Sequence, residues 1–222
     1  MSRISDSATN LGLMGGMFDP IHYGHLNIAL TSLELLQLDA LHFLPCGNPV
    51  HKNEDFASSA HRLAMLELGV KDIDSIQIDA RECQSDAPSY TQNSLKSIRN
   101  ESLGSRLFFI LGQDAFNSLT TWNRWEEIFL LAHIIIAARP DSEVELPAKL
   151  LLEFNNRRVN SAEEMKQYEH GKILTANFPM IDISSTMVRE RINEGRDIQE
   201  LVPSLVAQYI HTHNLYMTEK SG

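Results

Sequence analysis

Two short runs, Leu107-Phe-Phe-Ile-Leu111 and Ile134-Ile-Ile-Ala-Ala138, are apolar at every position. A strand with one wet face alternates apolar and polar residues, whereas a strand covered on both faces has no side left for polar groups. Strands of the second kind belong to parallel sheets, because right-handed crossovers between parallel neighbours put helices on both faces. Shorter runs fit as companion strands: Leu11-Gly-Leu-Met14, Ala40-Leu-His-Phe-Leu44, Ile76 with Ile78, and Lys172-Ile-Leu-Thr175. The expected fold class is α/β, with a doubly wound, mostly parallel sheet.

Helical stripes lie between these runs. Leu26, Ala29, Leu30 and Leu33 recur at i, i+3, i+4, i+7. Ser58 or Ser59 is placed to cap a helix that turns Leu63 and Leu66 inward and stops at Gly69 in a left-handed C-terminal position. Further helices are expected over Thr91 to Arg99 (Leu95 and Ile98 inward), over Leu146 to Leu152, from Ser184-Ser185 to Gly195, and after Pro203 with Leu205, Val206, Tyr209 and Ile210 inward. Residues 155–170 are polar and read as a surface loop or lid. With no repeat and no linker-like tract, one domain over 11–217 is expected, between a flexible segment 1–10 and a tail 218–222.

Charge narrows the partners. The 222 residues carry 19 Lys+Arg against 29 Asp+Glu, a formal net charge of −10. Wrapping a duplex or lying on an anionic membrane needs clustered Lys and Arg, so neither nucleic acid nor membrane is an expected partner. Two cysteines supply neither a disulfide framework nor a zinc pair, and the polar first ten residues contain no signal-peptide core, which points to the cytoplasm.

In doubly wound sheets ligands bind beyond the carboxyl ends of the strands. There is no G-x-x-x-x-G-K-S/T loop, G-x-G-x-x-G, G-x-S-x-G elbow or H-E-x-x-H. After the first strand comes instead Gly15-Gly-Met-Phe-Asp-Pro-Ile-His-Tyr-Gly-His25. Its glycines let a phosphate approach the backbone, a helix start offers free N–H donors, and His22 and His25 share one helical face. Far along the chain, Ile183-Ser-Ser-Thr-Met-Val-Arg189 sets three hydroxyls at a helix start with Arg189 one turn inside. Simple N-capping explains those serines taken alone; beside the first motif, a polyphosphate site explains more.

These motifs resemble those of the nucleotidyltransferase superfamily, Gly/Ser-Gly-x-Phe-Asp-Pro-x-His-x-Gly-His and Ile-Ser-Ser-Thr-x-x-Arg, which grip ATP. The His-x-Gly-His element is shared with class I aminoacyl-tRNA synthetases. Over nearly its whole length the chain resembles the bacterial nicotinate-nucleotide adenylyltransferases, through Pro45-Cys-Gly-Asn-Pro-Val-His-Lys52, Ala87-Pro-Ser-Tyr-Thr91, Leu111-Gly-Gln-Asp-Ala115, Thr121-Trp122 and His133 to Pro140. Pantetheine-phosphate adenylyltransferases are shorter and lack the Pro-Ser-Tyr-Thr and Gly-Gln-Asp…Thr-Trp segments. Met17 and Cys46 depart from the family pattern, which usually has Ser or Thr, and often Asn, at those places.

The resemblance implies a Rossmann-like nucleotidyltransferase fold. It also implies transfer of AMP from ATP to nicotinate mononucleotide, giving nicotinate adenine dinucleotide and pyrophosphate, with Mg²⁺ accompanying ATP. ATP would meet Gly15, Gly16, Met17, Phe18, His22, His25, Ile183, Ser184, Ser185, Thr186 and Arg189, of which His22, His25 and Arg189 are the catalytic candidates. The mononucleotide would meet Lys52, Tyr90, Thr91, Asp114 and Trp122, with Trp122 stacked on the pyridine ring; Trp125 is left to the core. The alternatives are an adenylyltransferase for another mononucleotide or pantetheine phosphate, a nucleotide sensor of the same fold without turnover, and a tRNA-acting relative.

Overall fold

The computed structural model describes residues 9–47, 56–85, 87–138, 146–179 and 181–217. Strand and helix alternate as the sequence suggests: β1 (Asn10–Gly16), α1 (Tyr23–Leu35), β2 (Ala40–Pro45), α2 (Ser59–Val70), β3 (Ile76–Ile78), α3 (Thr91–Glu101), β4 (Arg106–Gly112), α4 (Gln113–Asn117), α5 (Ile128–Leu131), β5 (His133–Ala138), α6 (Ala148–Arg157), β6 (Arg158–Val159), α7 (Ala162–Met165), β7 (Ile173–Asn177), α8 (Ser185–Asn193) and α9 (Ser204–Thr212). Two 3-10 turns, Leu119–Thr121 and Trp125–Glu127, lie between α4 and α5.

The seven strands form one sheet in the order β3-β2-β1-β4-β5-β7-β6, with every neighbouring pair parallel. Strand order reverses between β1 and β4, so a crevice opens at their carboxyl ends. The all-apolar runs divide between the faces with period two. Leu107, Phe109 and Leu111 of β4 join Ile134 and Ile136 of β5 under α3, α5 and α6. Phe108 and Ile110 join Ile135 and Ala137 in the cluster on the opposite face, which includes Leu26 of α1, Met65 of α2, Val188 of α8 and Val206 of α9. Among the described residues no helix is long and apolar enough to cross a membrane.

Three local expectations change. Ser58 does cap α2, accepting from His61 N at 3.2 Å, but Gly69 lies inside the helix, one residue before its end, without left-handed backbone. A Cβ at Gly69 would stand 3.1 Å from Ile21, so close approach to the loop after β1, not helix termination, explains this glycine. Residues 155–170 are neither loop nor lid: they finish α6, add β6 at the sheet edge and form α7, burying Val159, Ala162 and Met165. On α2 the buried stripe is Arg62, Met65, Leu66 and Val70, with Leu63 only partly covered.

His133 opens β5 with no exposure. Its Nδ1 accepts from Lys172 N and its Nε2 faces Tyr168 O, each at 3.2 Å, so the ring carries its proton on Nε2. Burial pushes its pKa down to about 3.

Candidate active site

Beyond Gly15-Gly16 at the end of β1, Phe18 takes a left-handed backbone (φ +49) and turns its ring into the core at 1% exposure. That ring meets Phe43 and His25 edge-on, with centroids 5.0 and 5.1 Å away. A Cβ on Gly16 would lie 3.0 Å from it, so glycine is what lets Phe18 fold beneath the loop. Phe18 is thus left with its backbone as what it can offer a ligand. His22 is the N-cap residue of α1 and offers no side-chain cap. Its ring stacks on that of His25 at 3.7 Å and 26°. Both Nδ1 atoms are buried without a partner. Burial lowers the His22 pKa to about 4 and holds His25 well below its ordinary value, with His22 adding to the effect on His25. Two neutral imidazoles with unmet polar atoms are costly in an empty site and available to a ligand.

The second motif closes on the first. Gly24 lets α1 approach Ile183, whose carbonyl would stand 3.1 Å from a Cβ there. The Ser185 hydroxyl donates to Pro20 O at 3.0 Å. Ser184 caps α8 by accepting from Met187 N at 3.1 Å, so the capping role read from the sequence is occupied. Arg189 donates to Asp19 O at 2.7 Å and to the Thr186 hydroxyl at 3.3 Å.

Three residues that sequence reasoning did not single out organise this loop. Asp19 is 1% exposed, and its Oδ1 accepts from Ala57 N at 3.2 Å and from the Tyr216 hydroxyl at 2.6 Å. Burial raises its pKa, against the lowering by Tyr216, Arg189, Ala57 N–H and Arg62. Arg62, 2% exposed, donates to Met17 O, Gly47 O and Ala57 O at 2.8, 3.1 and 3.2 Å, binding the loop after β1 and both ends of the loop after β2 to one guanidinium. The unusual residue at Met17 therefore leaves the anchoring intact, since the backbone carbonyl makes the bond. A signal for Arg62 existed: it falls on the helical stripe of Met65 and Leu66.

Of the residues expected around the mononucleotide, Tyr90 and Thr91 open the helix that follows β3, and Asp114 and Trp122 follow β4. Tyr90 is the N-cap residue of α3 and Thr91 its first residue. The loop before them is tied to β2 by Gly47 N donating to Ser89 Oγ at 3.1 Å, and Cys46 N donates to Gly16 O at 2.9 Å. Trp122, half-buried after the first 3-10 turn, meets the Phe109 ring edge-on at 6.4 Å; Phe109 in turn lies 3.2 Å from where a Gly15 Cβ would stand. Asp114 is exposed in the first turn of α4. Trp122 thus reaches the β1 end through Phe109, and the β2 end reaches it through Cys46. Trp125 is in the core at 7% exposure. Lys52 lies outside the described residues.

The family described as Cytidylyltransferase-like matches residues 13–191, from β1 through α8. The chain belongs to that family. The matched span of this cytidylyltransferase-like chain contains both motifs. A protein of Pseudoalteromonas atlantica is 37% identical over 206 residues, 93% of this chain and 94% of that protein. One of Methylococcus capsulatus is 39% identical over 207 residues, 93% and 99% of the two chains. Both are named as probable nicotinate-nucleotide adenylyltransferases. The nicotinic acid mononucleotide adenylyltransferase of Plasmodium falciparum, solved complexed with NaAD, superposes with a TM-score of 0.72 at 22% identity, covering 94% of this chain and 97% of that one. At that identity the likeness speaks for the fold.

Proposed function

We propose that this chain transfers AMP from ATP to nicotinate mononucleotide, forming nicotinate adenine dinucleotide and releasing pyrophosphate. The observation that carries the reading is the closure of two motifs on each other at the carboxyl edge of β1: the stacked His22–His25 pair and Arg189 border one loop. The names of relatives at 37% and 39% identity, each over 93% of the chain, supply the substrate class.

An oxygen of the mononucleotide phosphate attacks the α-phosphorus of ATP, and the bond to the β-phosphate oxygen breaks. No protein nucleophile is needed, so catalysis is positioning and charge stabilisation. The N–H groups of the glycine loop and the helix starts at α1 and α8 receive phosphate oxygens, with Ile183 to Thr186 lining the second. His22 and His25 donate hydrogen bonds to the triphosphate, and each gains basicity as phosphate approaches, because a neighbouring anion favours the imidazolium. Arg189 neutralises charge that develops on the departing pyrophosphate. On the acceptor side Trp122 stacks on the pyridine, Tyr90 and Thr91 place the nucleotide, Asp114 accepts from a ribose hydroxyl, and Lys52 reaches its phosphate.

The imidazoles, hydroxyls and guanidinium of the two motifs suit phosphate oxygens better than Mg²⁺, which takes oxygen ligands, and among the described residues no group of three or more His, Cys, Asp or Glu is arranged to hold a metal. Mg²⁺ would accompany ATP as the resemblance implies and would supply charge neutralisation at the phosphates.

The test is pyrophosphate release by the purified chain with ATP, Mg²⁺ and either nicotinate or nicotinamide mononucleotide. The reading expects preference for the nicotinate form. Equal turnover of both would remove the acceptor assignment, and release with neither would remove the reading.

A further inference from the structure

Asp19 belongs to the motif loop, yet part of what holds it comes from the other end of the chain. After α9 the backbone passes through left-handed positions at Asn214 (φ +50) and Tyr216 (φ +63). Such positions cost a non-glycine residue free energy and persist where the surroundings impose them. The turn places the Tyr216 hydroxyl 2.6 Å from Asp19 Oδ1, which also accepts from Ala57 N. Burial and the facing carboxylate push the phenol pKa up, so Tyr216 keeps its proton and is the donor. Asp19 Oδ2 is buried without a hydrogen bond, and Arg189 Nη1 lies 3.8 Å from it while bonding to the Asp19 main-chain oxygen. Arg189, Tyr216, Thr186 and Phe56 line a cavity of about 570 Å³.

We infer that Tyr216 is a positioning residue for adenylyl transfer: its hydroxyl occupies Asp19 so that Arg189 is held beside the carboxylate without being captured by it. This rests on the proposed function. A carboxylate that loses a donor becomes a stronger acceptor, and the nearest side-chain cation is Arg189. A bidentate arginine–carboxylate pair would then form and draw the guanidinium away from the triphosphate. The groups facing Asp19 are Tyr216 from the C-terminal turn, Arg189 from α8, Arg62 from α2 and the Ala57 N–H before α2.

Tyr216→Phe removes the hydroxyl and keeps the ring. Expected is a roughly tenfold fall in kcat/KM for ATP, the scale of one hydrogen bond to a charged group, with KM for the mononucleotide within twofold of wild type. Tyr209→Phe is the control: that hydroxyl meets His61 Nδ1 at 3.0 Å and makes no bond to Asp19, so its kinetics should match wild type. In an Asp19→Asn background, Tyr216→Phe should add no further loss. Wild-type rates in Tyr216→Phe, equal losses towards both substrates, the same loss in Tyr209→Phe, or full additivity with Asp19→Asn would each overturn the inference. Wild-type turnover tests the functional reading separately. ATP affinity by calorimetry, about tenfold weaker in Tyr216→Phe alone, tests Tyr216 without turnover, and unchanged affinity would count against it.

Discussion

Around Asp19, polar groups from distant stretches of chain converge on one loop: Ala57 N–H, the Tyr216 phenol and the Arg189 guanidinium, with Arg62 binding the neighbouring carbonyls. Around Trp122 the contact is between rings, and Tyr90, Thr91 and Asp114 sit at helix starts. The first region holds buried polar atoms in arrangements that few alternative sequences would satisfy. The second presents partly or fully exposed side chains on elements that the core already fixes. Substitutions near Asp19 should therefore spread into stability and turnover together, whereas those near Trp122 should stay within recognition of one substrate.

The largest expected effect is at Arg62. Arg62→Ala leaves the carbonyls of Met17, Gly47 and Ala57 without their donor. Unpaired buried groups cost about 1–3 kcal/mol each, so a loss of about 3–9 kcal/mol is expected for the three carbonyls. For a chain of this length that lowers Tm by about 2–4 °C per kcal/mol, readable by calorimetry. A Tm close to wild type would break the contrast between the two regions. His25→Ala comes next: kcat should fall by about 10²–10³, with a smaller loss of Tm than in Arg62→Ala, since the ring's packing on Phe18 and His22 is lost but its Nδ1 has no partner to leave unpaired. Near-normal turnover in this variant would strip His25 of its role.

Acidification separates the regions without mutation. Burial lowers the His22 pKa to about 4, and burial together with His22 holds His25 well below its ordinary value. Below the unfolded value of 6.5 the unfolded chain binds protons that the folded chain refuses, so stability falls as pH drops from 6.5 towards 4. Each such histidine contributes about 1.4 kcal/mol per pH unit. Urea titrations of the unliganded protein between pH 7 and 5 should show this slope. It should flatten in His22→Asn/His25→Asn, leaving mainly the share of His133, and an unchanged slope would move its source elsewhere. The smallest effect on the fold is expected at Trp122. Trp122→Ala should raise KM for the mononucleotide by about 5- to 100-fold, the range for losing one stacked ring, with KM for ATP and Tm little changed. A larger effect on KM for ATP would refute stacking on the pyridine.

Much of this was legible in the chain. Unbroken apolar runs at 107–111 and 134–138 announced a covered parallel sheet, and both motifs follow strand ends. What stayed hidden depended on contacts that local pattern does not carry. Val159, Ala162 and Met165 repeat every three residues, but inside elements of two and four residues they were drowned by polar neighbours. Gly69 has the look of a helix stop and serves to admit Ile21. Tyr216 shows no local signal, because its partner lies 197 residues away.

The Ser185–Pro20 bond spans 165 residues, and Gly24 packs on the Ile183 carbonyl. During synthesis the histidine pair therefore emerges long before the arginine it works beside. At about 5–20 residues per second, many seconds separate the synthesis of the two halves of the proposed site. On the proposed function, a translation product that stops short of α8 would lack Arg189 and the second helix start, and pyrophosphate release from such a product should be absent.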